Sequence, residues 1–145
     1  MVETHLRFTV LYVDDQQASR RAFRLACEES FPVLSASSHR EALELLRHHK
    51  DDIGVVVVAR CMENRSGSWL LQRARECHPQ PVRLLASDGC SRWAEDEALR
   101  NGSAEGIVPI PWDPPELTKR LRTELERFAA RRNDGLAQAK EAPNA

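Results

Sequence analysis

Ile53-Gly54-Val55-Val56-Val57-Val58-Ala59 is the stretch that decides the fold. A run this apolar, with no polar alternation, predicts a strand covered on both faces, as in a parallel sheet. Two similar runs flank it. Phe8-Thr9-Val10-Leu11-Tyr12-Val13 ends on Asp14-Asp15, and Val82-Arg83-Leu84-Leu85-Ala86 ends on Ser87. Shorter strands are predicted over Phe31–Ser35 and Gly106–Pro109, where Pro109 suits a sheet edge. Between the strands, apolar residues recur at helical spacing. The first helix carries Ala18, Ala22, Leu25 and Ala26. The second opens with the capping box Ser38-His39-Arg40-Glu41 and turns Ala42, Leu43, Leu45 and Leu46 inward. The third runs from about Ser66 or Gly67 to Cys77 with Leu70, Leu71 and Ala74 inward, and Pro79 and Pro81 forbid its continuation. The fourth spans about Ser91 to Arg100, before an Asn101-Gly102 cap. The last starts at Asp113-Pro114-Pro115-Glu116 and carries the stripe Leu117, Leu121, Leu125 and Phe128. Strands alternating with helices imply a three-layer α/β sandwich with right-handed crossovers.

The chain has 145 residues, which fits one domain with a full core. No repeat or second domain is visible. The domain is expected over 1–132. Asn133-Asp134-Gly135 breaks the helical pattern, so 133–145 is read as a disordered tail with some helical tendency in Ala-Gln-Ala-Lys-Glu-Ala. A formal net charge of −1 gives no general attraction to nucleic acid or anionic membranes. The arginines of the last helix alternate with Glu116, Glu124 and Glu126, which reads as a solvated salt-bridged face. No apolar run approaches the roughly 20 residues of a membrane span, and the N-terminus lacks the order of a signal peptide, so a cytoplasmic location is expected. Cys27, Cys61, Cys77 and Cys90 are scattered, with no Cys-x-x-Cys pair, which reads as reduced thiols. Neighbouring His48 and His49 point about 100° apart on a helix and lack metal-ligand spacing.

Asp14-Asp15, the strand ending at position 59 and Ser87 together resemble the receiver domain of bacterial two-component response regulators. The resemblance covers roughly residues 6 to 130. Ser66-Gly67-Ser68-Trp69-Leu70-Leu71 is similar to the family's start of the third helix, and counting back eight residues from Gly67 puts the phosphoacceptor at position 59. Ser87 falls on the switch Thr/Ser, and Ile110-Pro111-Trp112-Asp113 resembles the Lys-Pro-aromatic motif, whose peptide bond is cis. The segment Pro-Trp-Asp-Pro-Pro-Glu-Leu looks like the variant found in receivers joined to HD-type or kinase outputs. The resemblance implies a five-stranded parallel sheet of order 2-1-3-4-5. It also implies a Mg²⁺ site on the acidic pair and partners such as a histidine kinase or an output protein.

The departures cluster at the chemistry. Ala59 stands where the family has its phosphoacceptor aspartate, and Ile110 where it has lysine. Glu63 replaces the usual proline after Met62, and Ile107 takes the aromatic switch position. Phosphoryl transfer needs a nucleophilic oxygen and a cation facing the phosphoryl charge, and these positions supply neither. Loss of one carboxylate together with the lysine leaves the local charge balance of the family pattern unchanged, as a naturally degenerate site requires. Asp14 and Asp15 have two readings. They are weak Mg²⁺ ligands, short of a third carboxylate, or Asp15 caps the first helix while Asp14 accepts backbone hydrogen bonds.

The expected function is a phosphorylation-independent receiver-like module, not an enzyme, that binds proteins and needs no cofactor. Its candidate interface is Trp93, Ile107, Ile110 and Trp112, mapped to the fourth helix, fifth strand and fifth helix, which could also form a homodimer. Nucleic acid and membrane are not expected partners. Two alternatives stay open: phosphorylation at an unconventional residue (Glu63, Ser66 or Ser87), and a small ligand in the pocket of Asp14, Asp15, Ala59 and Ser87.

Overall fold

A computed structural model describes residues 8–62 and 65–141, with backbone alone for Cys61 and 134–141. The first βαβα passage comprises β1 (Thr9–Val13), α1 (Gln17–Cys27), β2 (Val33–Ala36) and α2 (His39–His48). Next comes β3 (Ile53–Ala59), followed by the short antiparallel pair β4 (Cys61–Met62) and β5 (Arg65–Ser66). The chain continues through α3 (Gly67–Cys77), β6 (Val82–Ser87), α4 (Arg92–Arg100), β7 (Gly106–Pro109) and α5 (Pro114–Glu141). The main sheet is parallel, in the order β2-β1-β3-β6-β7. This is the expected order 2-1-3-4-5, with β6 and β7 as its fourth and fifth strands. Pro109 lies on the edge strand, where its missing N–H costs no ladder bond.

The sheet divides two apolar cores. Phe23 and Cys27 of α1 and Leu117, Leu121, Leu125 and Phe128 of α5 cover one face. Ala42 and Leu46 of α2, Leu70, Leu71 and Ala74 of α3, and Ala98 of α4 cover the other. In β3, Val55 and Val57 face the first core, and Ile53, Val56 and Val58 the second. Ile53 and Val55 therefore point to opposite faces, because the β1–β3 register shifts between Thr9 and Val10. Gly54 sits at that irregularity, and a Cβ there would stand 2.8 Å from Phe128. The strand thus runs close beneath α5, and only glycine leaves room.

Two local expectations are corrected and one is refined. In α1 the expected stripe of Ala18, Ala22 and Leu25 is exposed, while Phe23 and Cys27 are buried. A phenyl ring removes far more apolar area from water than an alanine methyl, and it sets the helix rotation. The capping box at α2 needs only a detail added: the Ser38 hydroxyl accepts from the Glu41 N–H and the Glu41 carboxylate from a backbone N–H, as expected, the latter being that of Ser37. The last helix does not stop at Arg132. It continues to Glu141 through Asn133-Asp134-Gly135. One glycine in a helix costs about 1 kcal/mol, and the alanines, Gln, Lys and Glu beyond it are good helix formers.

Candidate functional site

Parallel strands deliver their C-terminal ends to one edge, and there β1, β3 and β6 present Asp14, Ala59 and Ser87. They line a cleft of about 480 Å³ together with Asp15, Asp88 and Ile110. The sequence-predicted pocket residues are thus brought together. Arg60 also lines the cleft, so among the described residues three carboxylates and one guanidinium line it.

Asp14 is buried, and both its oxygens have protein partners. The Tyr12 hydroxyl donates to Oδ2 at 2.6 Å and the Gln16 N–H to Oδ1 at 2.9 Å, while Arg20 holds the Asp14 carbonyl at 2.8 Å. Burial pushes the Tyr12 hydroxyl well above its ordinary pKa, and the hydrogen bond and charge of Asp14 add to this, so it stays a donor. Tyr12 in turn stacks on Phe23 at 4.3 Å and meets the edge of Trp112 at 5.5 Å. Asp14 is therefore anchored into the aromatic side of the core through Tyr12, and it accepts one backbone hydrogen bond, from Gln16. The N-cap of α1 falls on Gln16 and not on Asp15.

These residues fit Mg²⁺ poorly. Mg²⁺ demands near-octahedral oxygen ligation, yet Asp14 is already engaged and Ala59 offers only a methyl group. Among the described residues no cluster of three or more His, Cys, Asp or Glu is placed to hold a metal.

Ala59 is 7 % exposed at the end of β3. Behind it the chain turns tightly, with the Gly67 N–H donating to the Arg60 carbonyl at 2.6 Å. A Cβ on Gly67 would collide with the Ala59 carbonyl oxygen, which explains the glycine of the Ser66-Gly67 motif. Ser87 is buried, and its hydroxyl donates to the Glu95 carboxylate of α4 at 3.0 Å. Sequence reasoning missed this bond, which joins a strand end to a helix eight positions on and leaves no periodic trace. Ser66 spends its hydroxyl as the α3 cap, accepting from the Trp69 N–H. Glu63 lies outside the described residues.

The four candidate interface residues do not form one open patch. Trp93 on α4 is 73 % exposed. Ile110 and Trp112 pack against the α1–α5 core, with Trp112 edge-on to both Tyr12 and Phe23, and Ile107 packs against the opposite core. The Ile110-Pro111 bond is cis. Of the cysteines, Cys27, Cys77 and Cys90 are free thiols.

This fold and cleft define a receiver. Residues 10–122 match the response regulator receiver domain family, and the chain belongs to it. It is 30% identical over 124 residues to the hydrogenase transcriptional regulatory protein HoxA of Bradyrhizobium diazoefficiens, covering 83% of this chain and 24% of that one. It is also 30% identical over 123 residues to the sensor kinase CckA of Brucella abortus, covering 82% of this chain and 13% of that one. The chain thus spans a quarter or less of these relatives. Among solved structures, the receiver domain of an HD-domain protein from Pseudomonas fluorescens superposes with a TM-score of 0.81 at 23% identity, covering 92% of this chain and 97% of that one. A probable two-component response regulator/GGDEF domain protein gives a TM-score of 0.78 at 29% identity, covering 87% and 52%. No described helix is long and apolar enough to cross a membrane.

Proposed function

We propose that this receiver transmits signals by binding proteins and does not accept a phosphoryl group. One observation carries the reading: the strand end that faces the acidic pair is Ala59, and a methyl group cannot be phosphorylated. The supports are missing too. Ile110 packs with the apolar core in place of a lysine, leaving no cation from that strand to offset phosphoryl charge. Among the described residues the cleft's carboxylates outnumber its guanidinium, which disfavours an approaching anion. Ser87, the remaining hydroxyl, is committed to Glu95.

The partner on this reading is a histidine kinase or an output protein of bacterial two-component signalling, in the cytoplasm. Exposed Trp93 on α4 is the anchor, since a large exposed aromatic group marks a contact surface. A homodimer through the same helix is the other form such an interface takes. Incubation with acetyl phosphate and Mg²⁺, followed by intact mass, tests the central claim. The expected mass is unchanged. A stable gain of one phosphoryl group, at Ser87 or elsewhere, would overturn it.

A further inference from the structure

A second and larger cleft, of about 850 Å³, lies between α2 and α3 and shares no lining residue with the first. Its size is that of a small-molecule site. The floor is aromatic: the His39 ring stacks on Trp69 with centroids 5.2 Å apart, and Trp69 keeps 39 % of its surface exposed. The rim is basic. Arg40, Arg47 and Arg65 line it, while among the described residues Glu44 is the sole carboxylate there. Glu44 is taken by Arg40 at 3.3 Å. The guanidinium of Arg65 lies over the Trp69 ring, 4.5 Å from its centroid. His78, at the far end, is held below its ordinary pKa by burial and then by the charge of Lys50, so it is neutral near pH 7 and the arginines carry the charge.

A half-exposed indole, capped by a surface arginine and set beside guanidiniums that carry no carboxylate partner among the described residues, suits a flat ring bearing an anionic group. The ring stacks on the indole, and arginine forks onto phosphate oxygens through paired N–H donors. We propose that the α2–α3 cleft binds a small nucleotide, with its base on Trp69 and its phosphate on the arginines that line the cleft. Arg65 is exposed and on the surface, so a base can take its place over the ring while the guanidinium turns to meet the phosphate. The lining runs along both helices, but its aromatic part is the single pair of His39 and Trp69, which offers a stacking place to one ring system. This site is independent of the loss at Ala59.

The test is a titration of the ¹⁵N-labelled full chain with GMP, with guanosine and with inorganic phosphate, followed by NMR. The chain has 3 tryptophans, so the indole N–H signals separate the cleft from the rest of the molecule. GMP should shift the Trp69 indole signal saturably, and guanosine or phosphate alone should bind roughly tenfold more weakly or worse. Arg47→Gln, an exposed change that leaves the fold intact, and Trp69→Leu should each weaken GMP roughly tenfold, and Trp93→Phe should change nothing. No saturable shift at millimolar GMP would overturn the proposal. So would equal binding of phosphate alone, which needs no stacking, or of guanosine alone, which needs no arginine. Shifts confined to the Ser87 and Asp15 amides would place the ligand in the other cleft and also overturn it.

Discussion

At position 59 a methyl group stands at the strand end beside Asp14 and Asp15, and the surrounding groups are engaged elsewhere. Tyr12 and the Gln16 N–H saturate Asp14, and Ile110 has joined the core. Ala59→Asp should therefore make a carboxylate that is nearly buried beside two others. Burial and like charge raise its folded pKa above the unfolded value of about 3.9. A raised carboxyl pKa means the folded state holds the proton more tightly. The penalty is then absent in acid and grows as pH rises through the shifted value. Melting curves should show little difference from the parent near pH 4 and a loss of about 1–3 kcal/mol by pH 8. Adding Ile110→Lys should recover part of that loss at neutral pH. A pH-independent gap, or no recovery, would mean that the cleft does not set the charge state of this position.

At the scale of elements, β6, β7 and α5 are tied by a charge cluster centred on Glu105. Arg83 on β6 approaches it at 3.3 Å, and Arg127 and Arg131 on α5 at 3.1 and 2.7 Å. The solvated salt-bridged face read from the alternating charges is thus only part of the account. Arg120 and Arg127 do pair with Glu124 along the helix, but Arg127 and Arg131 also reach across to the sheet. Periodicity finds pairs within one helix and is blind to this crossing. The same blindness explains α1, where Phe23 and Cys27 lie under the alanine-marked pattern, because only the sheet decides which side is inward. Burial pulls the Glu105 pKa up, but Arg131, Arg83 and Arg127 outweigh it and hold the carboxyl below its ordinary value. A depressed carboxyl contributes stability above the unfolded pKa and loses it as pH falls through the folded one. Glu105→Gln leaves the buried Arg83 without its carboxylate and should cost about 3 kcal/mol at pH 7 in urea unfolding. The difference should fade below about pH 4. An equal cost at both pH values would show that packing, and not charge, makes the contribution.

For the whole molecule, the parallel sheet, its two covered faces and the acidic edge were legible because a buried parallel strand writes itself as an unbroken apolar run, while the strand order came only from the resemblance to receivers. The second cleft was not legible. His39 and Trp69 are thirty residues apart, and neither position departs from its helical pattern. The Ser87–Glu95 bond was hidden for the same reason, and we propose that it holds α4 against the strand end. A receiver changes state only when a ligand favours one arrangement of its strand ends and α4 over another. On the proposed reading no phosphoryl group supplies that preference, while Ser87 is tethered to α4 at 3.0 Å. The fold should thus stay in one arrangement. Hydrogen exchange over 92–100 should be the same with and without Mg²⁺ and beryllium fluoride, a phosphoryl mimic that bonds to carboxylates. Glu95→Ala removes one hydrogen bond, worth about 1 kcal/mol, so the melting temperature should fall by only about 4 °C. Exchange across α4 should nonetheless quicken, because Ala98 is its one fully buried side chain and the tether carries much of the docking. Protection of α4 by beryllium fluoride in the parent chain would show a working switch and overturn the fixed-state reading. Unchanged α4 exchange in Glu95→Ala would relieve the tether of the role assigned to it.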